Sequence, residues 1–279
     1  MISPSEHLSE LVRNSDTSLS IAEGALVIAR HEYPALDVPA YLAELDGIAT
    51  RIRRRLPSDA GKPHILSLLN HCLFRELGYV GNRDNYYDPR NSLLNDVIDR
   101  RTGIPITLCI LYLEIGKRLG LPLEGVACPG HFLVKCRIDQ GVIVLDPFNR
   151  GASLSEVELR DMLKLNGNSD EHMQPPLAAL LQTADKKTMW LRLARNLKAI
   201  YVNAGQTEKA IEIITMILTI SPEETGELRD RGMLYSQLEC YRAALTDLER
   251  WVSLDVGAAE DDAIQEKLEE LRRKNRLLN

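Results

Sequence analysis

Three side chains in the middle of the chain have the types and the spacing that thiol chemistry requires. Cys109 lies in the first turns of a predicted helix, and His131 begins a predicted strand after a Pro-Gly pair. Asp146 ends the following strand, and a turn near residues 138–141 brings His131 within a residue or two of it. A carboxylate that orients an imidazole beside a thiol near a helix N-terminus lowers the thiol pKa. Cys109, His131 and Asp146 are therefore a candidate catalytic set.

Each member of this set also has a structural interpretation. A free cysteine is commonly a small buried core residue, which is the alternative for Cys109. His131 and Asp146 either close the hairpin or, without a nucleophile, form an oriented polar cleft that binds a carboxylate or a peptide group. The residues alone leave these alternatives open.

Hydrophobic periodicity predicts three helices before this region. Ser20–His31 carries an apolar face, and the next helix has Asp37 as its cap and Pro39 in its first turn. A third helix, His64–Leu77, ends at Gly78.

The segment that carries Cys109 is a strongly apolar helix, Ile106–Leu119, which Pro105 opens. Because it is hydrophobic on nearly every side, we expect it to be a central core helix. Three runs rich in branched residues follow and predict the strands of a small antiparallel sheet: residues 123–128, 132–138 and 142–145.

A polar stretch between Gly81 and Pro105 separates the first helices from the central helix. Its Asn, Asp, Arg and Tyr side chains predict a loop ordered by bonds to its own backbone, although some of them would border the cleft. The residues expected to order the cleft are Asp88, Arg90, Asn91 and Asn95.

The last ninety or so residues repeat with a period of 34, which is the tetratricopeptide period of paired helices. Gly232 permits a close helix approach in the second repeat, whereas Lys198 occupies its counterpart in the first. Ala263–Leu278 resembles a charged capping helix. The residues expected to pack the repeats are Tyr201, Ala210, Pro222, Tyr235 and Ala244.

Composition excludes several classes of function. The net charge of -6 disfavours nucleic acid and anionic membrane as partners, and the arginines at 51 and 53–55 spread around most of a helix end. No apolar run is long enough to span a bilayer, and the N-terminus lacks an export signal. The five cysteines show no metal-type pairing, so we expect a reduced cytoplasmic protein with no metal or cofactor. Its oligomeric state stays open.

Three motifs identify a family: YYDPRNSLLNDVIDRRTGIPITL, RLGLPLEGVACPGHFLVK and VLDPFNRG. They resemble the bacterial SirB-type proteins, which have a transglutaminase-like domain of papain-type fold followed by tetratricopeptide repeats. The resemblance runs from about Ser20 to about Leu254. It implies an α+β protein, mostly helical, with a small antiparallel sheet and a C-terminal two-repeat helical array. The implied parts are an N-terminal helical segment on the core (1–60), the core (61–165), a linker (166–186) and the repeats with their capping helix (187–279).

The chain departs from the active members of this superfamily at the nucleophile. Counting back from the turn at Gly120, as the family's pattern requires, puts the nucleophile near Pro105, and Cys109 lies about one helical turn further along. We therefore expect a degenerate domain in a cytoplasmic binding or regulatory protein, whose repeats bind a protein or a peptide. The alternatives are an active thiol protease, amidase or acyltransferase that uses Cys109, His131 and Asp146, and a purely structural assembly factor.

Overall fold

The structure is a computed structural model that describes residues 3–13, 20–139, 141–165, 176–255, 257 and 260–277. Its contacts divide the chain into two compact units. The core unit comprises Asn14–Leu193, and the repeat unit joins Met1–Arg13 to Ala194–Asn279. Within the described residues, every helix is too short or too polar to cross a bilayer.

The helices and strands carry the following labels. The helices are α1 (Pro4–Arg13), α2 (Ile21–Ala29), α3 (Val38–Arg53), α4 (Lys62–Asn70), α5 (Leu94–Arg100), α6 (Pro105–Arg118), α7 (Glu156–Leu165), α8 (Leu177–Leu180), α9 (Lys186–Asn203), α10 (Thr207–Ile220), α11 (Thr225–Gln237), α12 (Tyr241–Leu254) and α13 (Asp262–Leu277). The strands are β1 (Val80–Gly81), β2 (Thr102–Gly103), β3 (Leu123–Cys128), β4 (His131–Ile138), β5 (Gly141–Asp146), β6 (Ala152–Leu154) and β7 (Thr183–Ala184).

Side-chain caps begin the early helices of the core unit, and the cap at Asp37 is one that the sequence predicts. The Ser20 hydroxyl accepts a hydrogen bond from the Glu23 amide at the start of α2, and the Asp37 carboxylate accepts one from the Ala40 amide in α3. The α4 helix continues as a π-helical turn, His71–Glu76, before Gly78 adopts a φ of +76°. That left-handed backbone conformation favours glycine and ends the helix.

The sheet of the core unit has five antiparallel strands in the order β6-β5-β4-β3-β7. In the central pairs, Cys128 is opposite His131, and Val134 is opposite Leu145. The α6 helix packs on β3 and β4 and is buried throughout residues 105–116. The predicted fold class, a mostly helical α+β protein with a small antiparallel sheet, is confirmed.

The polar stretch before α6 differs from the expected continuous loop. It contains the helix α5, which buries Leu94, Val97 and Ile98 at helical spacing, and the short strands β1 and β2, which pair in parallel. The density of Asn, Asp and Arg in the stretch hides this apolar pattern from a composition-based prediction. The edge strands β6 and β7 were not predicted either, because three and two residues are too few to show a hydrophobic period.

The repeat unit contains two helical hairpins at the predicted register, α10 with the end of α9, and α11 with α12. Ala210 and Ala244 are fully buried, and a Cβ at Gly232 would lie 2.7 Å from Leu248 Cγ. The close approach expected at Gly232 is therefore present. Leu268 of α13 is buried against the second hairpin, so α13 caps the array.

The first helix lies with the repeats, although residues 1–60 are predicted to pack on the core. Leu8 and Leu11 of α1 are buried, and α1 packs on α10. The physical reason is that the apolar face of α10 needs cover on the side where the array begins. Of the expected linker 166–186, residues 166–175 lie outside the described residues.

Candidate functional site

His131 and Asp146 lie together at the adjacent ends of β4 and β5. His131 Nε2 is 3.0 Å from Asp146 Oδ2, and the two side chains are 13% and 6% exposed. Within the described part of the chain, His131 Nε2 has no hydrogen-bond partner, so the pair is a close approach without a formed hydrogen bond. Asp146 Oδ1 accepts hydrogen bonds from the amides of Phe148 and Asn149, at 3.0 and 3.2 Å. The hairpin thus fixes a buried carboxylate beside the imidazole.

Aromatic rings cover one side of this pair. The Phe148 ring stands edge-on to His131 with centroids 5.8 Å apart, and Tyr86 stands edge-on to Phe148 at 6.4 Å. The Arg83 guanidinium lies 5.5 Å from the Phe148 centroid, a cation–π distance. A Cβ at Gly81 would lie 2.5 Å from the Phe148 ring, so the packing requires glycine there. Tyr86 and Phe148 were missed as site residues, although both lie inside the family motifs.

Cys109 is a core residue. It is 0% exposed, and its thiol donates a hydrogen bond to the Phe132 carbonyl at 3.3 Å. Burial, with the nearby charge of Asp146, raises the pKa of the Cys109 thiol well above its ordinary value. A protonated thiol that is closed to solvent is a poor nucleophile. Pro105, at the expected nucleophile position, begins α6.

The other cysteines offer no replacement at the pair. Cys128 is opposite His131 in the sheet, but it is buried, and burial raises the pKa of its thiol to about 11. Cys72 and Cys136 are buried, and Cys240 is exposed in the repeat unit. Among the residues that the structure describes, no group of three or more His, Cys, Asp and Glu side chains is arranged to hold a metal ion.

Asp88 and Arg90 order a tight turn. The Asp88 carboxylate accepts hydrogen bonds from the Arg90 amide at 3.0 Å and from Arg90 Nη2 at 2.8 Å. Arg100 lies 3.7 Å away on the same carboxylate. The hydrogen bonds from Arg90 hold the pKa of Asp88 below its usual value. The structure therefore places both residues in local bonding at the turn.

Asn91 connects the Tyr86 loop to α6. Asn91 is 0% exposed, and its side-chain Nδ2 donates hydrogen bonds to the backbone carbonyls of Asn85 and Tyr86, at 2.7 and 3.3 Å. The backbone carbonyl of Asn91 accepts a hydrogen bond from Thr107 Oγ1 of α6 at 2.8 Å. Asn95 is also buried, but its Oδ1 has no hydrogen-bond partner among the residues that the structure describes. Asn91 thus positions the ring that covers Phe148.

A second candidate site lies in the repeat unit, between α9 and α11. It is a groove of about 480 Å³, hereafter the repeat groove. Two of its apolar side chains are open to solvent, Val202 at 44% and Met233 at 39%. The lining residues are Arg195, Lys198, Ala199, Val202, Asn203, Glu227, Asp230, Met233 and Leu234.

Ion pairs border the apolar part of the repeat groove. Lys198 Nζ lies 2.5 Å from Glu227 and 2.6 Å from Asp230. Lys198 occupies the position in the first repeat that Gly232 occupies in the second, so this departure from the repeat pattern joins the two hairpins. Arg195 contacts Glu224 at 2.5 Å. Of the predicted packing residues, Tyr201, Ala210 and Ala244 are buried, Tyr235 packs on the second hairpin, and Pro222 lies between α10 and α11.

Comparison with known proteins matches each part of the chain to a described family. Residues 39–195 match the transglutaminase-like superfamily, and residues 197–273 match the tetratricopeptide repeat. A UPF0162 protein of Xylella fastidiosa (strain Temecula1) is 38% identical over 256 residues, which cover 92% of this chain and 91% of the relative. Protein SirB1 of Salmonella typhimurium is 30% identical over 233 residues, covering 81% and 84%. A crystal structure of menin matches 97% of this chain and 74% of its own, at 13% identity and a TM-score of 0.44.

Proposed function

The chain belongs to the transglutaminase-like superfamily and carries tetratricopeptide repeats, and on that premise we propose a cytoplasmic binding or regulatory protein. In this proposal the repeat groove binds a segment of another protein, and the transglutaminase-like core is degenerate. The burial of Cys109 supports a degenerate core, because the thiol has neither solvent access nor a lowered pKa.

The observation that carries the binding function is the pair of open apolar side chains in the repeat groove. Val202 and Met233 come from the first helices of successive hairpins, and an adaptable methionine is common at peptide-binding surfaces. The charged side chains at the border of the groove already pair with one another. We therefore expect them to orient the bound segment and to add little electrostatic attraction to it. An amphipathic helix that inserts one or two apolar side chains between Val202 and Met233 matches this surface.

Replacing Met233 by glutamate is expected to weaken this docking strongly. A charge in the desolvated centre of an interface costs about 2 kcal/mol or more, which is a roughly 30-fold loss of affinity. A photo-crosslinking amino acid at Val202 would identify the bound partner, and calorimetry with that partner would then compare the wild type with Met233→Glu.

Leu254→Glu is the matched control. Leu254 is 54% exposed and belongs to the repeat unit, but it does not line the repeat groove. We expect this variant to keep full affinity. Equal losses in Met233→Glu and Leu254→Glu would contradict docking in the groove.

The second candidate is a thiol enzyme, which the 3.0 Å contact between His131 and Asp146 favours. Iodoacetamide distinguishes the two functions. In the native protein below about pH 7, we expect Cys109 to stay unmodified, because its thiol is buried and protonated. The exposed Cys240 should react first at a higher pH, and Cys109 only in denaturant, as read by peptide mass spectrometry.

The Cys240→Ser variant provides the control, since it should remove the fast reaction of the native protein. Rapid labelling of Cys109 below pH 7, together with an amide hydrolysis or transfer activity lost in Cys109→Ala, would establish the enzyme instead.

A structural assembly factor would keep every partner in His131→Ala and lose them when the repeat groove is disrupted.

A further inference from the structure

The arginines that end α3 are not spread evenly around the helix. Arg53 turns away and donates to the backbone carbonyl of Arg118. Arg51, Arg54 and Arg55 instead line one cavity of about 270 Å³, hereafter the arginine cavity. Arg51 lies in the last turn of α3, and Arg54 and Arg55 follow directly after its end at Arg53. These three arginines therefore share one side, in contrast to the predicted spread of all four around the helix end.

The remaining walls of the arginine cavity are mostly apolar. Ile48 and Ile52 of α3 line one part, and Leu77 lines another. The Leu77 carbonyl already accepts a hydrogen bond from Arg101 at 2.9 Å. The cavity therefore combines three guanidinium groups with hydrocarbon surface.

Among the described residues, one carboxylate lines the cavity, that of Glu76, and it is already engaged. Glu76 Oε2 lies 2.8 Å from Arg55 Nη1, and Glu76 Oε1 lies 3.1 Å from His71 Nε2. The same Arg55 nitrogen is 3.0 Å from the Cys72 thiol. Arg55 is thus held in place by groups of the protein itself.

Arg51 and Arg54 have no ion-pair partner in the part of the chain that the structure describes. With three arginines and one glutamate in the lining, the cavity has two positive charges more than negative ones. Guanidinium groups bind phosphate through paired N–H bonds, and they are less strongly hydrated than ammonium groups. A ligand with two negative charges would match the excess.

We propose that the arginine cavity binds a small phosphate monoester, with its phosphate on Arg51 and Arg54 and its organic group on Ile48, Ile52 and Leu77. A phosphate monoester carries close to two negative charges at neutral pH. The cavity is smaller than the range of about 300–1,000 Å³ that holds drug-sized ligands, so it fits a short organic group. The overall net charge of -6 disfavours a nucleic acid here.

Calorimetric titration of the full chain with phenyl phosphate at constant ionic strength tests this site. We expect saturable binding, and at least about a tenfold loss of affinity in both Arg51→Gln and Arg54→Gln. Arg75→Gln is the matched control, because Arg75 is exposed on the neighbouring π-helical turn but does not line the cavity. Its affinity should equal that of the wild type.

A second readout does not depend on variants. In the wild type, phenyl phosphate should shift the side-chain Nε–Hε NMR signals of Arg51, Arg54 and Arg55 and leave that of Arg75 in place. The proposal is overturned by an absence of saturation at about 10 mM ligand, by an equal loss in Arg75→Gln, or by shifts spread over all arginines. Equal affinity for phenylsulfonate would overturn the selection of a dianion.

Discussion

Replacing Asp247 by alanine is expected to destabilise the repeat unit by about 3 kcal/mol, because it leaves a buried guanidinium without its partner. Arg231 of α11 makes two parallel hydrogen bonds to Asp247 of α12, at 2.7 and 2.8 Å. Its third nitrogen group donates to Thr215 Oγ1 of α10 at 3.0 Å. The two charged side chains are only 17% and 7% exposed. This network joins three helices of the array.

The free energy of unfolding, from urea denaturation of the full chain, measures the effect. Glu249→Ala is the control, since Glu249 pairs with Arg272 at 47% exposure on both sides and should contribute almost nothing. The double variant Arg231→Met with Asp247→Leu should recover most of the lost stability, because apolar residues can replace a buried pair. Equal effects of Asp247→Ala and Glu249→Ala would contradict the role of burial.

The Asp247→Ala variant also tests whether the second hairpin supports binding in the repeat groove. Asp247 does not line the repeat groove, but its partner Arg231 is on the helix that carries Met233. If α11 loses its anchor on α12, Met233 loses its fixed position. We therefore expect partner affinity to fall in Asp247→Ala and to return in the double variant.

Replacing Gly24 by alanine is expected to destabilise the core unit by about 3 kcal/mol, at the upper end of the cost of overpacking. A Cβ at Gly24 would lie 2.2 Å from Trp190 Cε2 and 2.5 Å from Trp190 Nε1. The indole has no room to withdraw, because it is fully buried and its Nε1–H donates to the Ile21 carbonyl at 2.9 Å. The glycine in α2 thus provides the surface on which the indole packs.

Gly47→Ala is the matched control for this prediction. Gly47 is in the middle of α3, and a Cβ there meets nothing within 4 Å. Alanine should therefore stabilise that helix by about 0.5–1 kcal/mol, the usual difference from glycine. Thermal unfolding of the two variants should give shifts of opposite sign. Stabilisation by Gly24→Ala would show that the indole can move.

A smaller side chain at position 190 provides a further check. Trp190→Phe removes the outer ring of the indole, including Cζ2, which would lie 2.4 Å from the new methyl group. The double variant Gly24→Ala with Trp190→Phe should lose less stability than the sum of the single variants, because the two positions share one contact. Additive losses would place the cost of Gly24→Ala elsewhere.

Local and periodic features were predictable from the sequence. The 34-residue period placed Ala210 and Ala244 at close helix crossings, because a crossing accepts only a small side chain. Asp37 marked a helix start, since the first amides of a helix need acceptors. The apolar pattern of residues 106–119 identified the buried central helix. Each of these signals depends on neighbours along the chain.

The chemistry of Cys109 and of the arginines at the end of α3 depends on the tertiary structure. A cysteine in a helix has the same sequence context whether it faces a cleft or a core, and packing under Phe132 buries Cys109. The arginines of α3 form a cavity only because the π-helical turn lies against them. The sequence predicts the longer helices, the three central strands, the repeat register and the family motifs, but not α5 or the short strands β1, β2, β6 and β7. Solvent access and the pairing of charges arise from contacts between segments that are far apart in the chain. A pattern along the sequence therefore does not reveal which side chains can contact a ligand.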